Sequence, residues 1–363
     1  RRESESRGAA THMLLLVVCL LYCWHGYAQE IVDFQTPPDS SADEDQVFSA
    51  EVNEVIENHN EQHPAVAQLK QHFAKQDNTS LSVLFDSRPN IVWCISDDQS
   101  HIHTSLTDSA ARTPTFAWLI DQGMWFQNAH ADSPSCTPSR GAILTGRHSY
   151  ELKTGASLGA LFPHNIKTIT EILEEHGYLT GYTGKGWAPG LVVGRDHNPA
   201  GWPFNEHTFH AGYVPEGVSR IDYVSNFRSF LQLRHQVLKS IPIWFWFGSN
   251  EPHRPYGYST GYDSGVDPST VTVPEFLPDT RCTRRDLSNY LFEVQYFDKT
   301  CGSVLEELYS IGEIDNTIVI YTSDNGMPFM FAKACAFIHC SQAYLYDHGT
   351  HVPLAIRWPE GIQ

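Results

Sequence analysis

A cysteine and an arginine four residues apart, Cys136 and Arg140, lie in the stretch Ser135-Cys136-Thr137-Pro138-Ser139-Arg140-Gly141-Ala142-Ile143-Leu144-Thr145-Gly146. The stretch reads as a helix start. Pro138 suits the first helical position, Ser135 or Thr137 can cap, and Gly146 can end the helix. Cys136 then sits where backbone N–H groups and the helix dipole favour negative charge. Residues four apart share a helix face, so a guanidinium stands beside the sulfur, a pair suited to an anion. A second chemistry belongs to the acids. Asp97-Asp98 and Asp324-Asn325-Gly326 each follow an apolar run. Three carboxylates and an amide oxygen suit a hard divalent cation, calcium or magnesium, rather than zinc. His101-Ile102-His103 places two imidazoles on one side of an extended segment, either as metal ligands or as pocket lining. The acids already account for an ion, which favours lining.

Cys-x-Pro-Ser-Arg followed by Leu-Thr-Gly resembles the sulfatase signature, and both acidic clusters match that family's pattern in order, from roughly Arg88 to Trp358. The resemblance implies that Cys136 is oxidised to formylglycine by the formylglycine-generating enzyme, and that its hydrate is the nucleophile. It implies that Asp97, Asp98, Asp324 and Asn325 hold a calcium ion, with the modified residue 136 as a further ligand. Gly184-Lys185-Gly186 resembles the loop whose lysine contacts sulfate. Asn250-Glu251-Pro252-His253-Arg254 resembles the strand end whose histidine faces the leaving group, and Lys333 resembles the second sulfate-binding lysine. The implied reaction is hydrolysis of sulfate ester or sulfamate groups on a sulfated carbohydrate. Residues 275–280 and 322–329 look most like the heparan N-sulfatase branch. A phosphodiesterase or phosphonate hydrolase of the same superfamily is the alternative enzyme. An inactive truncated homologue that only binds sulfated glycans is the alternative that is not one.

The chain departs from the family pattern at three places. Trp187 stands where many sulfatases have a histidine that helps expel sulfate, so turnover would use another group, such as His148, His197 or His210. The segment 334–344 is longer than the pattern, either as a genuine loop or as a misread splice boundary, and it bears on the placement of Lys333. The chain stops at Gln363, where the resemblance implies a further C-terminal subdomain.

These residues need a scaffold that gathers them. Asn90–Ser96, Leu179–Thr183, Ile241–Gly248, Thr317–Thr322 and Leu354–Trp358 read as buried strands, and Thr113–Asp121, Ile166–His176 and Arg284–Ile311 as helices. Alternating strands and helices predict an α/β fold, a mainly parallel sheet sandwiched by helices, with active residues at the carboxyl ends of the strands. By resemblance this is the alkaline-phosphatase-like N-terminal domain of a sulfatase.

The organisation expected is a translated leader over 1–12, a signal peptide over 13–28, an acidic mobile segment over 29–87 and the catalytic domain over 88–363. Met13–Trp24 is an apolar run of twelve, too short to span a bilayer and right for a signal-peptide core. Asn78-Thr79-Ser80 is a glycosylation sequon, in keeping with a secreted or lysosomal protein. Residues 30–61 carry ten acids and no Lys or Arg, a solvated block. A net charge of −18 without a basic patch argues against nucleic acid as a partner. Of eight cysteines, Cys335 and Cys340 can pair across a short loop. Cys282 and Cys301, if on one helix, would stand roughly 28 Å apart and could not pair.

Overall fold

Among the described residues six strands form one sheet, whose central strands alternate their side chains between two cores. The six are β1 (Asn90–Ser96), β2 (Met124–Trp125), β3 (Leu179–Gly184), β4 (Ile243–Gly248), β5 (Thr317–Ser323) and β6 (Leu354–Arg357). The computed structural model describes residues 88–237, 240–333 and 343–362, together with Pro64. The leader, the signal peptide, nearly all of the acidic segment, Asn78, Cys335 and Cys340 lie outside these residues.

The sheet order is β2-β6-β5-β1-β4-β3. β3, β4, β1 and β5 run parallel, and β6 and β2 add an antiparallel edge. On β1, Val92 and Cys94 enter one core, while Ile91, Trp93 and Ile95 enter the other. β4 divides Phe245 and Phe247 from Trp244 and Trp246 in the same way, and β5 divides Val319 and Tyr321 from Ile318 and Ile320. A sheet apolar on both faces needs helices on both.

One face is covered by α1 (Pro114–Asp121), α4 (Tyr223–Val237) and α6 (Arg281–Ser310), through Phe116, Leu119, Phe227, Phe230, Phe297 and Val304. The other is covered by α2 (Cys136–Thr145) and α3 (Ile169–Glu175), through Leu144, Ile169 and Leu173. Two single-turn helices, α5 (Thr260–Asp263) and α7 (Asp347–Thr350), complete the set. No helix among the described residues is long and apolar enough to cross a membrane.

Local chemistry explains where the helices differ from expectation. α2 starts at Cys136, with Ser135 as an extended N-cap that makes no side-chain bond. Pro138 therefore falls third, still in the turn whose N–H groups have no intrahelical partner. Gly146 ends the helix at φ +62° and donates its N–H to the Ala142 carbonyl at 2.8 Å. α3 begins at Ile169 rather than Ile166 because Thr168 and Glu171 form a capping box. α1 is capped from a distance, the Asp298 carboxylate on α6 accepting the N–H groups of Thr115 and Phe116, each at 2.9 Å. α6 begins at Arg281, so Cys282 and Cys301 share it, and both are free thiols.

Candidate active site

The carboxyl ends of β1, β3, β4 and β5 open on the same side, and the chemistry-bearing residues follow them. After β1 the backbone turns at Asp98, whose φ of +75° is a left-handed value uncommon outside glycine. That turn lets the Asp98 N–H donate to Asp324 Oδ1 at 3.1 Å, while Asn325 Nδ2 donates to Asp98 Oδ1 at 2.6 Å. β3 and β4 both end in glycine. A Cβ on Gly248 would lie 1.9 Å from the Lys185 carbonyl oxygen, and one on Gly184 would lie 2.0 Å from that of Gly248. This close approach delivers the Lys185 ammonium to Asp97, with which it pairs.

Arg140 fixes the relative positions of these ends. It is fully buried. Its Nε donates to Asp324 Oδ2 at 2.8 Å and its Nη1 to the Lys185 carbonyl at 2.7 Å, and Nη2 stands 3.9 Å from Asp97 Oδ1. One planar fork thus spans α2, β1, β3 and β5. Two supports were not legible in the sequence. The Ser139 hydroxyl donates to the Asp324 carbonyl, and the buried indole of Trp187 donates to the Thr137 carbonyl at 3.0 Å. Trp187 is thus a brace beneath the first turn of α2.

Cys136 lies inside this frame. Its Sγ is 3.5 Å from Asp97 Oδ1 and 3.7 Å from Lys333 Nζ. Burial, then Asp97 and Asp324, push the thiol well up, with Lys333 opposing. A cation among the carboxylates would reverse the sign of their field. Lys333 pairs with Asp98. Burial works against both ammonium groups, but the adjoining carboxylates outweigh it, Asp98 at Lys333 and Asp97 at Lys185, so both pKa values rise. For Asp97, burial is likewise outweighed, by Lys185, and its pKa is lowered. His253 is half exposed, with Nε2 3.9 Å from Asp98 Oδ2. Its Nδ1 lies 2.6 Å from the Arg254 carbonyl, which only accepts, so Nδ1 is the donor and Nε2 faces the acids.

The acids fit a metal ion. Asp97, Asp98 and Asp324 each offer an oxygen within 4.8 Å of the others. Asp98 Oδ2 and Asn325 Oδ1 are buried with no hydrogen-bond partner among the described residues. Orphaned buried acceptors are costly, and a hard cation coordinated by oxygen would satisfy both.

The histidines fall differently from expectation. Residues 101–103 form turns rather than an extended run, so the two imidazoles diverge. His103 pairs with Asp108 at 3.1 Å, and both are buried. His101 stacks on His351. Neither faces the acidic cluster as one of a ligand pair. His197 is held by Glu174 and the Asn198 carbonyl, His148 by Asp132, and His210 is exposed.

Residues 89–363 match the family model described as Sulfatase. The N-sulphoglucosamine sulphohydrolase of Homo sapiens is 28% identical over 301 residues, covering 76% of this chain and 56% of the relative. The chain spans about half the length of the curated relatives it matches. A solved structure from a glycosaminoglycan-metabolism locus of Bacteroides thetaiotaomicron superposes with a TM-score of 0.58 at 18% identity, over 76% of this chain and 68% of that one. Another, a protein solved in complex with its substrate D-glucosamine-2-N,6-O-disulfate, superposes with a TM-score of 0.54 at 21% identity, over 76% and 72%. At these identities the superpositions speak for the fold, an alkaline-phosphatase-like α/β architecture. The family match, by contrast, covers most of the chain and every strand of the sheet, and on it this chain belongs to the sulfatase family.

Proposed function

We propose that the chain is a sulfuric ester hydrolase that removes sulfate ester or sulfamate groups from a sulfated carbohydrate. The observation that carries this reading is the convergence of Cys136, two lysines, three acids and the Asn325 amide, with one oxygen of Asp98 and that of Asn325 orphaned, around one buried arginine. The names of the relatives, the human N-sulphoglucosamine sulphohydrolase among them, support the carbohydrate class.

In this reading Asp97, Asp98, Asp324 and Asn325 hold a calcium ion, which supplies positive charge to the sulfuryl oxygens and to the nucleophile. Residue 136, matured to formylglycine by the formylglycine-generating enzyme and hydrated to the gem-diol, supplies one hydroxyl as nucleophile, and collapse of the second hydroxyl to the aldehyde then releases sulfate. The chain's own groups do the rest. Three carboxylates already face three cationic side chains, so a divalent ion leaves the cluster net positive, the sign an anionic substrate needs. Lys185 and Lys333 then turn from their carboxylates toward the sulfuryl oxygens and neutralise charge as it develops. Arg140, held on three sides, keeps residue 136 oriented for in-line attack. Asp97, within reach of the side chain at 136, takes its proton. His253, with Nδ1–H held on the Arg254 carbonyl, acts as the imidazolium and gives the proton on Nε2 to the departing oxygen or nitrogen. We assign the chain to the secretory pathway from its apolar run and its sequon.

Peptide mass spectrometry across residue 136, paired with hydrolysis of an aryl sulfate and an aryl phosphate diester, tests the proposal. Formylglycine at 136 and calcium-dependent aryl sulfate hydrolysis are expected. Unmodified cysteine after expression with the maturation enzyme, or a preference for the phosphate diester, would reject it.

A further inference from the structure

A second group of metal-ligating side chains lies apart from the acidic cluster. It comprises His101 after β1, His130 before α2, Asp347 and His348 on α7, and His351 just beyond it. The rings pack on one another, with centroids 3.4 Å apart for His101 and His351, 4.5 Å for His130 and His351, and 5.6 Å for His101 and His348. One ring nitrogen each of His101 and His348 and one carboxylate oxygen of Asp347 lie within 4.8 Å of one another. An independent observation concerns partners. Nδ1 of His101 and Nδ1 of His348 are both buried and have none among the described residues. A buried ring nitrogen is costly when unpaired, whether it donates or accepts. Two such atoms on rings that gather at one carboxylate call for a partner that accepts lone pairs.

We propose that His101, His348 and Asp347 form a binding site for a divalent transition ion such as zinc, separate from the oxygen site at Asp97, Asp98 and Asp324. Two imidazoles and a carboxylate are a donor set that zinc uses, with a fourth position left for water or another ligand. Calcium prefers oxygen throughout, so the two sites sort ions by chemistry.

The placement gives the ion a structural consequence. The His348 carbonyl accepts the Met327 N–H at 3.0 Å, and the Gly349 carbonyl accepts the Gly326 N–H at 2.9 Å. α7 is thereby tied to the loop that carries Asp324 and Asn325. An ion on His101 and His348 would tie the loop after β1 to the same helix. Asp347 and His348 also line a pocket of about 510 Å³ with Phe276, Phe331 and Tyr346.

The full chain, saturated with calcium, is titrated with Co2+ as a spectroscopic probe and then with Zn2+. One equivalent of Co2+ should give visible d–d bands without a thiolate charge-transfer band, and Zn2+ should displace it. His101→Gln and His348→Gln should each weaken Zn2+ binding by about tenfold or more while calcium stoichiometry stays unchanged. Asp347→Asn, at a side chain 58% exposed and so tolerated by the fold, should weaken it similarly and carries the test if a histidine variant does not fold. The proposal is overturned if Zn2+ binds the folded variants with wild-type affinity. It is equally overturned if a thiolate band places the metal at Cys136, or if the chain takes up neither ion at micromolar concentration.

Discussion

At the scale of single residues, the proposed reaction rests on Cys136 for its chemistry, and the shape of the site on Arg140. Cys136→Ser replaces one small polar side chain by another in a buried place, so the variant should fold and bind calcium like the parent. Serine is not a substrate for the eukaryotic maturation route that the proposal requires, so aryl sulfate turnover should fall by orders of magnitude. Turnover near wild type would show that residue 136 is only structural. Arg140→Lys keeps the charge but cannot reach Asp324, the Lys185 carbonyl and Asp97 together. Unpaired buried groups cost about 1–3 kcal/mol, so urea unfolding should shift to a lower midpoint and activity should drop at least about tenfold. Residues whose type names their chemistry were legible in the sequence, namely Cys136, Arg140, the paired acids and the lysine between two glycines. Trp187 and Ser139 were not, because their work is a hydrogen bond to a backbone carbonyl, which many side chains with an O–H or N–H can donate once the fold has brought them there. The shared face expected for His101 and His103 does not form, because alternation implies one only on an extended chain and residues 101–103 turn.

At the scale of elements, β1, β4 and β5 were readable because a sheet buried on both faces favours near-continuous apolar runs. Helix ends were less so. α1 takes its cap from Asp298 on another helix, and no local pattern announces a tertiary cap. Two-residue β2 is too short for any period to register. The glycines closing β3 and β4 carry a sharper test. Gly248→Ala would put a Cβ 1.9 Å from the Lys185 carbonyl oxygen, a backbone atom that can move only by displacing Lys185 from Asp97. Overpacking of this kind costs about 1–3 kcal/mol, and activity should fall with stability. Gly159→Ala is the control. Its φ is +74° with nothing within 4 Å of the added carbon, so it should cost only about 1–2 kcal/mol from backbone conformation and leave turnover intact. Equal loss of activity in the two variants would separate the glycine from the lysine's placement.

At the scale of the whole molecule, the order β2-β6-β5-β1-β4-β3 was not legible, because each strand reads alike and register is decided by which helices fit between. The outcome still follows a general rule. β1 lies in the middle of the sheet, between β5 and β4, and the crevice outside the carboxyl ends of the strands is where ligands settle in open α/β sheets. Behind that crevice the long helix α6 buries an acid, Glu293, both of whose oxygens are buried with no hydrogen-bond partner among the described residues. Burial, then the nearby Glu251, raise its pKa from the ordinary 4.5 to about 9. Between those values the folded chain holds a proton that the unfolded chain has released. This contribution is fully present below pH about 4.5 and is lost as the pH rises toward 9, by up to about 1.4 kcal/mol per unit. Glu293→Gln keeps the shape and removes the titration. The variant should therefore unfold at a higher temperature than wild type at pH 8, the difference shrinking toward pH 5, in thermal unfolding followed by circular dichroism. An unchanged difference across that range would mean that Glu293 is ionised in the fold and paired with a cation that stabilises it.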